Sequence, residues 1–64
     1  QFHKNSLVKE SIIFPRVVIG EGAQVEYAII DKGAEVAEGV VIRGTAENPV
    51  VIKKGEKVTE DILS

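Results

Sequence analysis

Aliphatic residues recur along this chain at a nearly constant spacing. From Leu7 the step is six residues, with one step of five before Ile30 and a longer interruption before Ile52. Most residues two positions earlier are small, and glycine often follows three positions later. The aliphatic positions are Leu7, Ile13, Ile19, Val25, Ile30, Val36, Ile42, Ile52 and Val58; the earlier ones are Asn5, Ser11, Val17, Ala23, Ala28, Ala34, Val40 and Val50; the glycines are Gly22, Gly33, Gly39 and Gly55.

This hexad predicts a short strand followed by a two-residue corner. The small and the aliphatic residue alternate along the strand, so both side chains point to the same side. Glycine suits a left-handed second corner position, and the fixed φ of Pro15 suits a first corner position. Ten Val and eight Ile against two Leu and no Met also favour strands. We therefore predict an all-β fold, a parallel β-helix of hexapeptide repeats, which is left-handed in hexapeptide families.

Three hexads make one triangular coil, so nine predicted strands make three coils. The strands are expected at about 5–8, 11–14, 17–20, 23–26, 28–31, 34–37, 40–43, 50–53 and 56–59. The inward columns are then Leu7/Val25/Ile42, Ile13/Ile30/Ile52 and Ile19/Val36/Val58. Residues 44–49 form a loop at one corner, and Glu56 at an inward position indicates the polar end of the repeat. The alternative, an antiparallel sandwich or barrel, would favour Asn-Gly or Asp-Gly turns, and neither dipeptide occurs.

The same register predicts which residues face outward. The first side, with Ser6 and Val8, and the third side, with Val18 and Glu35, are mixed in character. The second side is different, because Ile12, Ile29 and Val51 stack as an exposed apolar column beside Phe14. Such patches mark contacts with another subunit, domain or segment, although β-branched residues also occur on solvated strands. We take Ile12, Phe14, Ile29 and Val51 as a candidate interface.

Composition excludes several function classes. The chain has no cysteine for disulfides and one histidine, His3, so a structural zinc site is excluded. A net charge of −2 offers no basic field for nucleic acid. No apolar run is long enough to span a membrane. The chain begins at Gln1 and not at Met, so we expect residues 1–64 to be one domain of a longer protein.

Three segments resemble one family. Residues 12–23 (IIFPRVVIGEGA) and 27–34 (YAIIDKGA) are similar to the β-helix of bacterial glucose-1-phosphate adenylyltransferases, the ADP-glucose pyrophosphorylases of glycogen synthesis. Residues 44–52 (GTAENPVVI) most resemble the companion subunit type, the glycogen biosynthesis protein GlgD. The hexads alone are not specific to this family, but the ordered combination of the three segments is more so.

The resemblance implies a C-terminal assembly or regulatory domain. The parent would join ATP and glucose 1-phosphate to give ADP-glucose and pyrophosphate, with Mg²⁺, in an N-terminal nucleotidyltransferase domain that has no counterpart here. It further implies a homo- or hetero-tetramer and a cytoplasmic protein. In plant relatives the lysine of an Ile-Ile-Asp-Lys segment helps to bind a phosphorylated activator, and Lys32 occupies that position. The other interpretation of Lys32 is an ordinary polar corner residue.

Two other functions remain open. The chain could be the C-terminal part of a hexapeptide-repeat acyltransferase, or a purely structural repeat without an enzymatic parent. An acyltransferase needs a base, usually a histidine, within its coils, whereas His3 precedes the first strand. The sequence therefore predicts no catalytic residue, no metal ligand and no cofactor within this domain. The protein upstream of it would discriminate between the three interpretations.

Overall fold

The computed structural model describes residues 1–63, and within them every regular element is a short strand. All pairings are parallel and join strands of successive coils, so the antiparallel alternative is wrong. The strands are β1 Leu7–Lys9, β2 Ile12–Ile13, β3 Val18–Ile19, β4 Gln24–Glu26, β5 Ala28–Ile30, β6 Glu35–Val36, β7 Val41–Arg43, β8 Val50–Ile52, β9 Lys57–Val58 and β10 Ile62–Leu63.

The strands form three sheets, which are the three sides of a prism. The first sheet has the order β1-β4-β7-β10, the second β2-β5-β8 and the third β3-β6-β9. Consecutive strands lie on different sheets, and the chain returns to each sheet once per coil. The result is a parallel β-solenoid of about three turns, consistent with the predicted left-handed β-helix.

The core consists of inward columns that run along the solenoid axis. Ile13, Ile30 and Ile52 are in register on the second sheet. Ile19, Val36 and Val58 are in register on the third sheet. Both predicted columns are confirmed. Small inward residues such as Ala23, Ala28 and Ala34 are also buried, because they fill the prism beside the larger side chains.

The predicted first column is wrong at its first residue. Val8, and not Leu7, is in register with Val25 and Ile42, and Leu7 is 46% exposed. The predicted small partner Asn5 instead lies in a corner, with φ of 62°. The physical reason is that the step of five occurs in the first coil as well as the second. At both places the corner between the first two sheets has a left-handed residue, Glu10 or Tyr27, with φ of 48° and 51°.

Both ends of the solenoid extend beyond the predicted hexads. At the C-terminal end, β10 pairs with β7 and places Ile62 below Ile42 as a tenth strand that the hexad count missed. At the N-terminal end, Phe2 bridges to Ile19 and so stands at the head of the third column. Glu56 lies at the predicted inward position in the last coil, where it is exposed, and its Oε1 accepts a hydrogen bond from the Lys53 amide at 2.9 Å.

The corners behave as the glycine pattern predicts. Gly22, Gly33, Gly39 and Gly55 all have positive φ, between 72° and 76°. Arg16 occupies the equivalent position after Pro15 with φ of 66°, so this corner accepts a non-glycine residue. The predicted loop projects after β7, and the Thr45 and Asn48 backbones hydrogen-bond to each other across it at 3.2 Å. Residues 1–63 contain no helix that could cross a membrane.

Candidate functional site

The second sheet presents the predicted apolar column to its outer surface. Ile12 pairs with Ile29 and Ile29 with Val51, so the three side chains lie above one another on adjacent strands. Ile12 is 59% exposed and Val51 62%, whereas Ile29, in the middle strand, is half-buried. An isoleucine and a valine with more than half of their surface in water make this a continuous apolar patch rather than a single exposed residue.

Phe14 widens this patch toward the next corner. It follows β2, its amide donates to the Ile30 carbonyl at 3.0 Å, and its ring is 44% exposed. Asp31 and Lys53 occupy the matching positions after β5 and β8, since the Asp31 amide donates to the Ile52 carbonyl at 3.0 Å. We call the residues Ile12, Phe14, Ile29 and Val51 the apolar face. The charged side-chain types at Asp31 and Lys53 border the apolar face on one side.

Lys32 lies at the corner between the second and third sheets. Its amide donates to Asp31 Oδ1 at 2.7 Å, and its carbonyl accepts a hydrogen bond from the Gly55 amide at 3.0 Å. Together with Arg16 and Lys54, one coil to either side, it lines a shallow depression floored by Pro15, Gly33 and Gly55. We call Arg16, Lys32 and Lys54 the basic corner. All three side chains are exposed.

The basic corner contains two residues that the sequence-based prediction did not connect with Lys32. Arg16 and Lys54 lie 16 and 22 positions from Lys32 in the chain, and only the stacking of coils brings them to one edge. The signal that could have found them is the coil length, which is 17 residues between Ile13 and Ile30 and 22 between Ile30 and Ile52. Counting corner positions with these two intervals aligns Lys32 with Lys54 and places Arg16 one position later, level with Gly33.

The remaining candidates for chemistry are the one histidine and the acidic side chains. His3 is exposed near the chain start, and its amide donates to the Ile19 carbonyl at 2.9 Å. Glu10 lies at the corner between β1 and β2, and Asp31 lies at the corner between β5 and β6, so these two side chains do not form a carboxylate pair for acid–base chemistry. Residues 1–63 contain no group of three or more His, Cys, Asp or Glu side chains that could hold a metal ion.

Comparison with known proteins assigns the fold to a family. The family model described as "GlmU-like, C-terminal hexapeptide" matches residues 1–63, which is almost the whole chain. The chain belongs to this hexapeptide family. Among curated proteins, this hexapeptide chain is similar to glucose-1-phosphate adenylyltransferases, in agreement with the resemblance of residues 12–23 and 27–34.

The most informative relatives come from three bacteria. The chain is 44% identical over 57 residues to the glucose-1-phosphate adenylyltransferase of Thiobacillus denitrificans. The matched region covers 89% of this chain and 12% of that protein. It is 37% identical over 57 residues to that of Bradyrhizobium diazoefficiens, with 89% and 13% coverage. It is 40% identical over 67 aligned positions to that of Teredinibacter turnerae, with 95% and 16% coverage.

These relatives favour the adenylyltransferase interpretation over the acyltransferase alternative. The chain spans only 12–16% of the length of these three curated relatives, so it corresponds to one part of a much larger protein in them. The resemblance of residues 44–52 to the companion subunit type stays a prediction. No solved structure matches the chain significantly.

Proposed function

We propose that this hexapeptide domain is the assembly and regulatory part of a glucose-1-phosphate adenylyltransferase-type protein of glycogen synthesis. The observation that carries the proposal is similarity to adenylyltransferases along about nine-tenths of the chain, together with an exposed apolar face. The parent would make ADP-glucose and pyrophosphate from ATP and glucose 1-phosphate in a separate nucleotidyltransferase domain, which would also hold the Mg²⁺. We propose a cytoplasmic protein that forms homo- or hetero-tetramers.

The apolar face is the surface that we assign to assembly. Covering Ile12, Phe14 and Val51 by another subunit or domain would remove apolar surface from water, and each well-buried side chain of this size contributes on the order of 1.5–3 kcal/mol. A carboxylate placed at Phe14 would have to be desolvated in the same contact, which costs several kcal/mol. The assembled protein should therefore be far more sensitive to charge on this face than on the first sheet.

The experiment compares Phe14→Glu with Gln24→Glu in the full-length protein. Gln24 is an exposed strand residue on the first sheet, so its substitution adds a carboxylate without touching the apolar face. We expect Phe14→Glu to shift the sedimentation coefficient toward a smaller assembly or to release the domain to proteolysis, while Gln24→Glu leaves both unchanged. Wild-type assembly and wild-type protease resistance in a folded Phe14→Glu protein would refute the interface.

A second function, binding of a phosphorylated effector, is favoured by the basic corner. Arg16 and Lys54 flank Lys32, so three cations surround one depression, and ammonium and guanidinium groups bind phosphate by charge and hydrogen bonding. We expect inorganic phosphate to shift the NMR amide signals of Gly33 and Gly55, and Lys32→Gln to weaken this binding several-fold. The matched control is Lys57→Gln on the third sheet. The site would be refuted if phosphate shifted the amide signals near all lysines alike, or if the Gly33 and Gly55 shifts were the same in Lys32→Gln as in the wild type.

A further inference from the structure

The third sheet lies between two corners of opposite charge. The basic corner lies before the strands of this sheet. Three exposed glutamates lie after them, and we call these residues the acidic corner: Glu21, Glu38 and Glu60. Each strand has a cation before it and a glutamate after it: Arg16 and Glu21 for β3, Lys32 and Glu38 for β6, Lys54 and Glu60 for β9. Arg16 lies one corner position later than Lys32 and Lys54, which stack below Pro15.

No side chain of either row forms an ion pair in the part of the chain that the structure describes. Stacked corner residues lie about 4.8 Å apart, the spacing of neighbouring strands, so Glu21, Glu38 and Glu60 are like charges at repulsive distances, and so are Lys32 and Lys54. Glu21 also has an opposite charge one coil above it, because the Gly22 amide donates to the Lys4 carbonyl at 3.2 Å just as the Gly39 amide donates to the Glu21 carbonyl at 2.9 Å. The opposite row lies about five strand residues away, roughly 16 Å, which exceeds the Debye length of about 8 Å at physiological salt. Within residues 1–63 the one ion pair is Arg43 with Glu26 on the first sheet, at 3.3 Å.

We infer that the outer face of the third sheet binds the same face of a second copy of this chain, with the two solenoid axes parallel. A two-fold axis that runs parallel to the solenoid reverses the strand direction across the contact but keeps the level of each coil. The basic corner of one copy then meets the acidic corner of the other along both edges. The pairs are matched coil by coil: Arg16 with Glu21, Lys32 with Glu38, and Lys54 with Glu60.

The side chains between the two corners fit this arrangement. The half of the face nearer the basic corner carries Val18, Glu35 and Lys57, which are in register with one another. The half nearer the acidic corner carries Gly20, Ala37 and Thr59. These residues are in register, because the Gly20 amide donates to the Val36 carbonyl and the Ala37 amide donates to the Val58 carbonyl. The two-fold axis places the larger set of one copy against the smaller set of the other.

The alternative two-fold axis, across the solenoid, is disfavoured by charge. It would place basic corner on basic corner and acidic corner on acidic corner, and like-charge contacts oppose association. The molecule measures 27 × 21 × 18 Å, so one face buries well under the roughly 1,600 Å² of a standard interface. We therefore expect a weak dimer that strengthens at low salt. This inference concerns a different face from the assembly surface proposed above and does not depend on it.

Charge reversal tests the complementarity by sedimentation equilibrium at low salt. Reversing the acidic corner (Glu21→Lys, Glu38→Lys and Glu60→Lys) or the basic corner (Arg16→Glu, Lys32→Glu and Lys54→Glu) should each raise the dimer Kd about tenfold or more. Mixing the two variants, or reversing both corners in one chain, should restore dimers. The control, Glu10→Lys with Glu47→Lys at another corner, should leave the Kd within about twofold.

Cysteine cross-linking tests the orientation, because the chain has no native cysteine. Lys32→Cys mixed with Glu38→Cys should form a disulfide-linked dimer, whereas either variant alone should not. Efficient linkage of Glu38→Cys to itself would indicate antiparallel axes and overturn the inference. A monomer at every concentration, or double reversal without restoration, would also overturn it. If a Phe14→Glu protein assembled like the wild type, that result would refute the apolar face as an interface and would leave the present inference unchanged.

Discussion

The middle and first coils contain the same kinds of inward residue but bury them to different extents. In the middle coil Val25, Ile30 and Val36 are at most 2% exposed. In the first coil Val8 and Ile13, which no further strand covers, are only half-buried, whereas Ile19, which Phe2 covers at the head of the third column, is 0% exposed. Burial in this fold therefore comes from having a coil on both sides, and not from the hydrophobicity of the side chain.

The backbone shows the same difference. β4 and β5 have a parallel partner on each side, whereas β1 and β2 have one. β3 is partly covered, because the His3 amide donates to the Ile19 carbonyl and the Ile19 amide donates to the Gln1 carbonyl, both at 2.9 Å. The unpaired edges of β1 and β2 are therefore the places where another strand could add to the structure.

The largest expected effect is removal of a side chain between two coils. Ile30→Ala should lower the free energy of unfolding by about 2–5 kcal/mol, because it leaves a cavity that coils on both sides enclose. Ile13→Ala, in the same column but in the first coil, should cost about half as much, because its site is already open to water. Urea denaturation of the two variants measures both values. Equal losses would mean that the first coil is as enclosed as the middle one.

An intermediate effect should follow from backbone contact between coils. A Cβ on Gly44 would lie 2.5 Å from the Tyr27 carbonyl oxygen and 2.8 Å from the Val50 amide nitrogen. Gly44→Ala should therefore cost about 1–3 kcal/mol, because backbone atoms cannot move aside as a flexible side chain can. Gly22→Ala is the matched control. Its Cβ meets no atom within 4 Å, so it should show only the strain of a left-handed φ, about 1 kcal/mol.

The smallest effect should have the opposite sign. Glu10 has a left-handed φ of 48° at an exposed corner of the first coil. Glu10→Gly should raise the unfolding free energy by a few tenths of a kcal/mol to about 1 kcal/mol, because glycine adopts this φ without strain. Lys9→Gly, one residue earlier in β1, should instead destabilise the protein. A lower melting temperature for Glu10→Gly would show that this corner is not strained.

The positions of the strands could be predicted because hydrophobic alternation is local. Eight of the nine predicted strands enclose an observed one, from β2 at Ile12–Ile13 to β9 at Lys57–Val58. The apolar column Ile12, Ile29 and Val51 was predicted for the same reason, since the inward register fixes what faces outward. The predicted strand 5–8 slipped by one residue against β1, because Leu7 and Val8 are both apolar and do not distinguish the two registers.

The repeat, the parallel architecture, two of the three inward columns and the loop after β7 could all be predicted from the order of the residues. These follow from short-range spacing, which a strand of alternating side chains and a left-handed corner translate directly into geometry. The stacking of the coils was needed to show that Val8 faces inward, that Phe2 and Ile62 extend the columns, and that Arg16, Lys32 and Lys54 meet at one corner. The physical reason is that corner residues meet across coils of unequal length, so their neighbours depend on the register between strands far apart in the chain.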